Sequence, residues 1–293
     1  MSDMRETKEY AYAKLNLSLD VTSCRDDGYH DMLMVMQTVS LCDDITVSLD
    51  DSGKISASCN LPFIPCDERN LAVKAAIKYL EAIGENSQGM KINMHKRIPV
   101  GAGMAGGSSN AAAVLRALNR LYDNRLSLEE LEEIAGKVGS DVAFCVAGGT
   151  SLAKGRGEIL TELKSMPDCY IVICKPEFSI STPELFKKLD SAPLRHHPDT
   201  NGILQALEDG ELRQLCMRMY NVFEDVDDRR MRTVSEIKSK LLDHGAMGAI
   251  MTGTGSAVFG VYNNENQAQA ACKELKAEYK FCCVSSPKGR IAV

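Results

Sequence analysis

No Cys-x-x-Cys pair occurs in the 293 residues, although the chain holds eleven cysteines. Their count is odd, and most sit singly within apolar stretches, as at Cys145, Cys174, Cys216 and Cys272. That pattern argues against a zinc framework or a disulfide scaffold and for buried free thiols in a reducing compartment. The five histidines form no ligand cluster; His196 and His197 are adjacent, beside Pro198, in an expected surface loop. No apolar run reaches the roughly 18 residues that a membrane span requires. The polar stretch from Met1 to Glu9 has no apolar core of the kind a signal peptide carries. The expectation is a cytoplasmic protein. Positive charge is also in short supply, with 34 Lys and Arg against 40 Asp and Glu and a formal net charge of -6. A general nucleic-acid binder draws its affinity from a basic surface, so that class is disfavoured. Internal repeats and low-complexity segments are absent too.

What remains is an ordinary globular composition, 44% hydrophobic and 25% charged. The length suits about two domains or one large one. The first 60 residues read as strands. Between Tyr10 and Leu19 the apolar residues Ala11, Ala13, Leu15, Leu17 and Leu19 alternate with Lys14, Asn16 and Ser18, so the two sets are expected on opposite faces. Asp26-Asp27-Gly28 is a turn signal, and strands are expected at 32–39, 45–49 and 55–59. Leu71 to Ile83 has helical spacing and stops at Gly84. A short strand covers 90–96, and a helix is expected from Asn110 to Tyr122. Ser127 and Glu130 make a capping box for the next helix, which ends near Gly139. In the second half, two short strands flank Lys154-Gly155-Arg156-Gly157, and Thr182-Pro183 reads as the start of a helix. Thr252-Gly-Thr-Gly-Ser256 joins two strands, which suits a hairpin turn. Strands and helices interleave without strict βαβ regularity, which suggests an α+β fold with two lobes meeting near residues 150–165.

The most informative segment is Pro99-Val100-Gly101-Ala102-Gly103-Met104-Ala105-Gly106-Gly107-Ser108-Ser109. Gly101-x-Gly103-x-x-Gly106 matches the dinucleotide fingerprint, but the acidic residues about 20 positions on, Glu129 and Glu130, open a helix rather than close a strand. Walker A fails because no Gly-Lys-Ser or Gly-Lys-Thr follows, and the protein-kinase motifs His-Arg-Asp and Asp-Phe-Gly are missing. There is no Gly-x-Ser-x-Gly for serine-hydrolase chemistry. The physics common to phosphate loops survives: glycines let backbone N–H groups turn inward, and the following helix aims its positive end at an anion. Ser108 and Ser109 could add hydroxyls to a phosphate or a metal ion. A tight turn that merely permits close packing is the alternative.

Pro99 to Ser109 resembles the ATP loop of the GHMP kinases, whose members include galactokinase, homoserine kinase and mevalonate kinase. Ala13-Lys14-Leu15-Asn16-Leu17 resembles the first motif of that family and Gly253-Thr-Gly-Ser-Ala257 the third. Together with Asp27-Gly28-Tyr29-His30 and Gly139-Ser-Asp-Val142, the set is similar to the branch that phosphorylates a cytidine-diphosphate-bearing methylerythritol on the non-mevalonate route to isoprenoids. Five motifs in order cover nearly the whole chain. Two departures are Ala105, where the family usually has glycine, and Ala143, where it often has proline.

The resemblance implies a two-lobed fold. An N-terminal α/β lobe over 1–160 carries the ATP loop, and a ferredoxin-like C-terminal lobe over 161–293 closes on the substrate. It implies ATP as phosphoryl donor, bound by residues 99–109, and Mg2+ whose ligands the sequence leaves open. Asp141 would take the proton of the attacking 2-hydroxyl, although Asp is equally at home as a helix N-cap before Val142. Lys14 would sit beside it and polarise that hydroxyl, whereas a strand lysine is otherwise more often solvated. Asn16 falls on the same strand face as Lys14 and would bind substrate or orient the pair. Tyr29 and His30 would stack on and hydrogen-bond to cytosine, with Phe186 as a further aromatic; as an isolated pair they would suit a core or surface role. Lys96 and Thr182 are further candidate substrate contacts. The expected partner is a small molecule, not nucleic acid or membrane, and the assembly a monomer or homodimer. A different GHMP kinase, of homoserine or mevalonate type, and a catalytically idle nucleotide sensor are the alternatives.

Overall fold

The computed structural model describes residues 5–85, 87–191, 194 and 196–292. Two strands of unusual length open the chain, β1 (Glu6–Cys24) and β2 (His30–Asp50), paired antiparallel across the turn at Gly28. β3 (Ile55–Cys59), α1 (Leu71–Ile83), β4 (Gly89–His95), α2 (Gly106–Leu121), α3 (Leu128–Val138), α4 (Ser140–Ala147), β5 (Thr150–Lys154) and β6 (Ile159–Glu162) follow. The second half runs β7 (Tyr170–Lys175), α5 (Thr182–Leu189), α6 (Thr200–Asp209), α7 (Leu212–Arg218), β8 (Tyr220–Asn221), α8 (Arg230–Asp243), β9 (Gly248–Met251), β10 (Val258–Tyr262), α9 (Glu265–Lys276) and β11 (Phe281–Ser285).

The first sheet has the order β3-β4-β2-β1-β8, with β5 on β2 and β6 on β5. One edge of β2 serves two partners, since Met34 to Gln37 pair with β5 and Asp44 to Asp50 with β4. The gap between them is filled from the far end of the chain: Ser40 N–H donates to Ser286 O, Lys288 N–H to Thr38 O, and Val39 bridges Pro287. The same tail continues past Gly148, where Ile291 N–H donates to Ala147 O at the end of α4. β8 joins β1 in parallel at Ser18 and Leu19, so the second half of the chain also extends the first sheet.

The second sheet, β11-β7-β10-β9, is antiparallel throughout. Counted along its own chain that order is 4-1-3-2, with α8 and α9 packed against it, which is the ferredoxin-like arrangement. The architecture is therefore α+β and two-lobed, as the resemblance implied.

Local chemistry explains the helix ends. Gly84 closes α1 in the left-handed region at φ 69°, and the Ser127 hydroxyl and Glu130 carboxylate form the reciprocal capping box of α3. α2 is buried almost all round, which makes it a core helix rather than a surface one. Its one buried cation, Arg116, is held by Glu9 and by the carbonyls of Tyr10, Cys145 and Val146.

Three sequence expectations change here. Ala11 and Leu19 pack in one apolar cluster and Ala13, Leu15 and Leu17 in the other, because register irregularities after Tyr12 and after Asn16 interrupt the pleat. Residues 32–49 form one strand rather than two, with Asp43 and Asp44 inside it. α2 begins at Gly106, four residues ahead of the expected start, so the glycines themselves form its first turn.

Candidate active site

The glycine loop is held from below by one buried carboxylate. Asp43 accepts from the backbone N–H groups of Arg97 (2.6 Å) and Ile98 (2.8 Å) and from Asn110 Nδ2 (2.8 Å), and it pairs with the Lys96 ammonium. Lys96 also donates to Gly106 O (3.2 Å) and Asn110 Oδ1 (2.9 Å), which uses all three of its N–H bonds. It lines the loop cavity but has no donor left for another partner. The chain leaving this anchor passes through Gly101 and Gly103, both at positive φ, and enters α2 through Ala105 at φ 54°. A left-handed alanine costs about 1–2 kcal/mol. Ala105 offers no side-chain cap, and the first intrahelical bond runs from Ser109 N–H to Ala105 O. The N–H groups of Gly106, Gly107 and Ser108 therefore have no intrahelical acceptor and open an anion site. The Ser109 hydroxyl is spent on Tyr12 O (2.6 Å), whereas Ser108 lines the cavity around the loop. Ile64, Pro65, Leu71 and Val100 give that cavity an apolar wall.

Three segments far apart in sequence meet at Asn16. Its Oδ1 accepts from Lys14 Nζ (2.7 Å) and from Gly253 N–H (3.1 Å), and its own N–H donates to Thr252 Oγ1 (3.1 Å). The glycine loop closes the triangle, with Lys14 N–H on Met104 O, Ala257 N–H on Ala102 O and the Thr252 hydroxyl on Gly103 O. Gly103 must be glycine, because a Cβ there would run into the Thr252 carbonyl.

Lys14 is 4% exposed, so the polar side of β1 is buried against the second half of the chain instead of solvated. Its ammonium lies 3.7 Å from the Asp141 carboxylate. Asp141 stands in the first turn of α4 behind the extended residue Gly139, and no side chain caps that helix, so the helix-cap role for Asp141 is not what the fold uses. The pair faces a cavity of about 600 Å3. Tyr29, His30 and Phe186 line the same cavity: His30 and Phe186 stack with centroids 4.6 Å apart, and His30 Nε2 sits 2.7 Å from Asp190. Phe186 is braced edge-on by Phe223. Tyr29 is 56% exposed, with the Arg156 guanidinium over its ring. Thr182 bonds Thr254 (2.8 Å) across the mouth, joining α5 to the second glycine segment.

The structure thus brings Lys14, Asp141, Tyr29, His30, Thr182 and Phe186 to one cavity, shared with Gly103 and Ala105 of the loop. Lys96 and the rest of the loop line the adjoining one, apart from Ser109, and Asn16 is buried behind Lys14. Sequence reasoning missed Asp43, Asn110, Arg156, Lys187 and Asp190. Asp43 resembled a strand-ending turn residue, and only the double acidic run Asp43-Asp44 inside a strand pattern marked it.

Residues 70–149 match the family model for the GHMP kinases N terminal domain, and residues 203–280 match GHMP kinases C terminal. The chain belongs to the GHMP kinase family. This GHMP kinase is a phosphotransferase, and among its relatives is the 4-diphosphocytidyl-2-C-methyl-D-erythritol kinase of Clostridium perfringens, 43% identical over 274 residues. That match covers 94% of this chain and 95% of the relative. The enzyme of the same name from Alkaliphilus metalliredigens is 43% identical over 280 residues, with the same coverage. The crystal structure of a 4-(cytidine 5'-diphospho)-2C-methyl-D-erythritol kinase superposes with a TM-score of 0.80 at 32% identity, covering 97% of this chain and all of that one. A homoserine kinase from Cytophaga hutchinsonii reaches a TM-score of 0.77 at 20% identity over 99% of this chain and 96% of its own, a likeness of fold. No helix among the described residues of this kinase is long and apolar enough to cross a membrane.

Proposed function

We propose that this kinase transfers the γ-phosphoryl group of ATP to the 2-hydroxyl of 4-diphosphocytidyl-2-C-methyl-D-erythritol, a step of non-mevalonate isopentenyl diphosphate biosynthesis. The observation that carries the reading is the shared cavity. One end holds the Lys14–Asp141 pair beside the glycine loop, and aromatic rings suited to a nucleobase line the same space. The names of the relatives agree with it.

In this reading ATP lies with its phosphates on the free N–H groups of Gly106, Gly107 and Ser108 at the positive end of α2, and its base against the apolar wall from Ile64 to Leu71. Asp141 accepts the proton of the 2-hydroxyl as that oxygen attacks the γ-phosphorus. Lys14, held at a fixed distance by Asn16, supplies positive charge to the attacking oxygen and the transferring group. Tyr29 and Phe186 stack on the cytosine, and His30, fixed by Asp190, hydrogen-bonds its edge. Thr182 borders the substrate mouth. Lys96 serves the loop through Asp43 and Asn110. Among the described residues no group of three or more His, Cys, Asp or Glu could cage a metal. The Ser108 hydroxyl on the loop cavity is the donor that would suit Mg2+ held mainly by phosphate oxygens and water. Bound there, the ion would offset charge on the β- and γ-phosphates.

The test is ADP release and product mass with ATP, Mg2+ and the cytidine substrate, run beside homoserine and mevalonate. Turnover with the cytidine substrate alone is expected. Turnover confined to another alcohol would overturn the substrate, and nucleotide binding without turnover on any would favour a sensor.

A further inference from the structure

Lys14, Arg156 and Lys187 are the lysines and arginines on the described wall of the cavity that holds the Lys14–Asp141 pair. Lys14 is committed to Asn16 and Asp141. Arg156 and Lys187 are exposed, and among the described residues neither is ion-paired. They come from different elements, Arg156 from the turn between β5 and β6 and Lys187 from α5.

Their neighbours fix where each one stands. The Arg156 guanidinium lies 4.8 Å from the centre of the Tyr29 ring. The next residue, Gly157, is buried near the other end of the cavity, for a Cβ placed there would lie 4.0 Å from Asp141 Oδ1. Two consecutive residues therefore span from the aromatic end to the carboxylate end. Gly155 and Gly157 flank Arg156 at positive φ, and Arg156 N–H is held by the Glu158 carboxylate at 2.7 Å, so the turn has a defined shape. Lys187 directly follows Phe186, the ring stacked on His30.

The geometry points to Arg156 and Lys187 as the clamp for the diphosphate of the nucleotide-linked substrate. This assignment rests on the proposed function and extends it to a group that none of the sequence motifs covers. A diphosphate joining a ring at Tyr29 to a hydroxyl at Asp141 must cross the stretch that Arg156 and Gly157 define. A guanidinium offers it a planar fork for two oxygens and an ammonium offers a point charge. The carboxylates on the cavity wall are already engaged, Asp141 with Lys14 and Asp190 with His30, so neither cation is neutralised before the ligand enters.

The experiment compares cytidine and CDP as competitive inhibitors against the cytidine substrate. In the unaltered enzyme CDP is expected to bind more tightly than cytidine. Arg156→Ala and Lys187→Ala should each cut that advantage by about tenfold, the scale of one charge-assisted hydrogen bond. Arg156→Lys should restore part of it. Thermal melting checks that the variants are folded, which two exposed side chains make a simple control. A CDP advantage that survives intact in the Arg156→Ala/Lys187→Ala double variant overturns the clamp and leaves the proposed function standing. Equal binding of cytidine and CDP by the unaltered enzyme overturns it as well. If neither compound competes, the cytidine reading itself fails and the clamp falls with it.

Discussion

Asp43→Asn and Lys96→Met, made singly and together, probe the tie beneath the glycine loop. Asp43→Asn keeps an oxygen for the Arg97 and Ile98 N–H groups but strands the Lys96 ammonium, which is 5% exposed, without its anion. Removing one partner of a buried pair costs about 3–5 kcal/mol. Lys96→Met is milder, because Asp43 keeps three donors from Arg97, Ile98 and Asn110. The loss there is the charged hydrogen bond to Asp43, about 1.5–3 kcal/mol, together with the bonds to Gly106 O and Asn110 Oδ1. The double variant should be no worse than Asp43→Asn alone, falling short of the summed losses by at least about 1.5–3 kcal/mol. Urea unfolding of the four proteins measures this coupling. KM for ATP in the folded variants should rise several-fold, since the loop enters the site through Arg97 and Ile98. Effects that add within about 0.5 kcal/mol would refute the reasoning, for then the two charges do not share one tie.

Asp141→Ala should lower turnover about 10²–10⁴-fold, the scale of general base catalysis, while ATP affinity by calorimetry stays within about twofold; near-normal turnover would remove Asp141 from the chemistry. Asp228 anchors α5 through Lys188 (2.8 Å) and binds Arg230, and α5 carries Thr182, Phe186 and Lys187. Asp228→Asn should therefore raise KM for the cytidine substrate about threefold to tenfold, read from initial rates. The Arg230 guanidinium, ahead of the opposing effect of burial and with help from Lys188, holds the Asp228 carboxyl well below its ordinary pKa. A carboxylate with a depressed pKa stabilises the fold above its unfolded value, so that share is lost as pH falls below about 4. The acid limb of stability against pH should be shallower in Asp228→Asn, and an unchanged limb would contradict this. Ala105→Gly relieves a left-handed alanine at φ 54°, offset by added freedom in the unfolded chain, so a gain of about 0.5–1 kcal/mol is expected in thermal or urea unfolding.

The sequence made the helix ends and the chemistry-bearing segments legible, because those rest on local rules. Gly84 after Ile83, the Ser127–Glu130 box and the glycines from 101 to 107 each carry their meaning within a few residues. Burial of Lys14 was not legible in this way. Alternation distinguishes two faces of a strand but cannot show that both are covered, and here the second half of the chain covers the polar one through Thr252 and Gly253. Asp43 was hidden for the same reason, since its partners lie at 96–98 and 110. Arg156 looked like part of a turn because its ring partner, Tyr29, is more than a hundred positions away. Motif resemblance supplied the meeting of Lys14 with Asp141, which periodicity alone does not contain.

The late segments woven into the first sheet bear on how the protein matures on the ribosome. β1 receives β8 as its outer neighbour, and the gap along β2 is closed by residues 286–288. A nascent chain that has exposed only its first half therefore holds a long hairpin with an open edge and an unfilled gap. Such a chain depends on shielding until those segments have emerged. Arg290 and Ile291 also touch the end of α4, so the helix bearing Asp141 gains that support only once they have left the exit tunnel. Catalytic competence should accordingly appear as a step once residues 286–291 are free of the exit tunnel, not as a gradual gain.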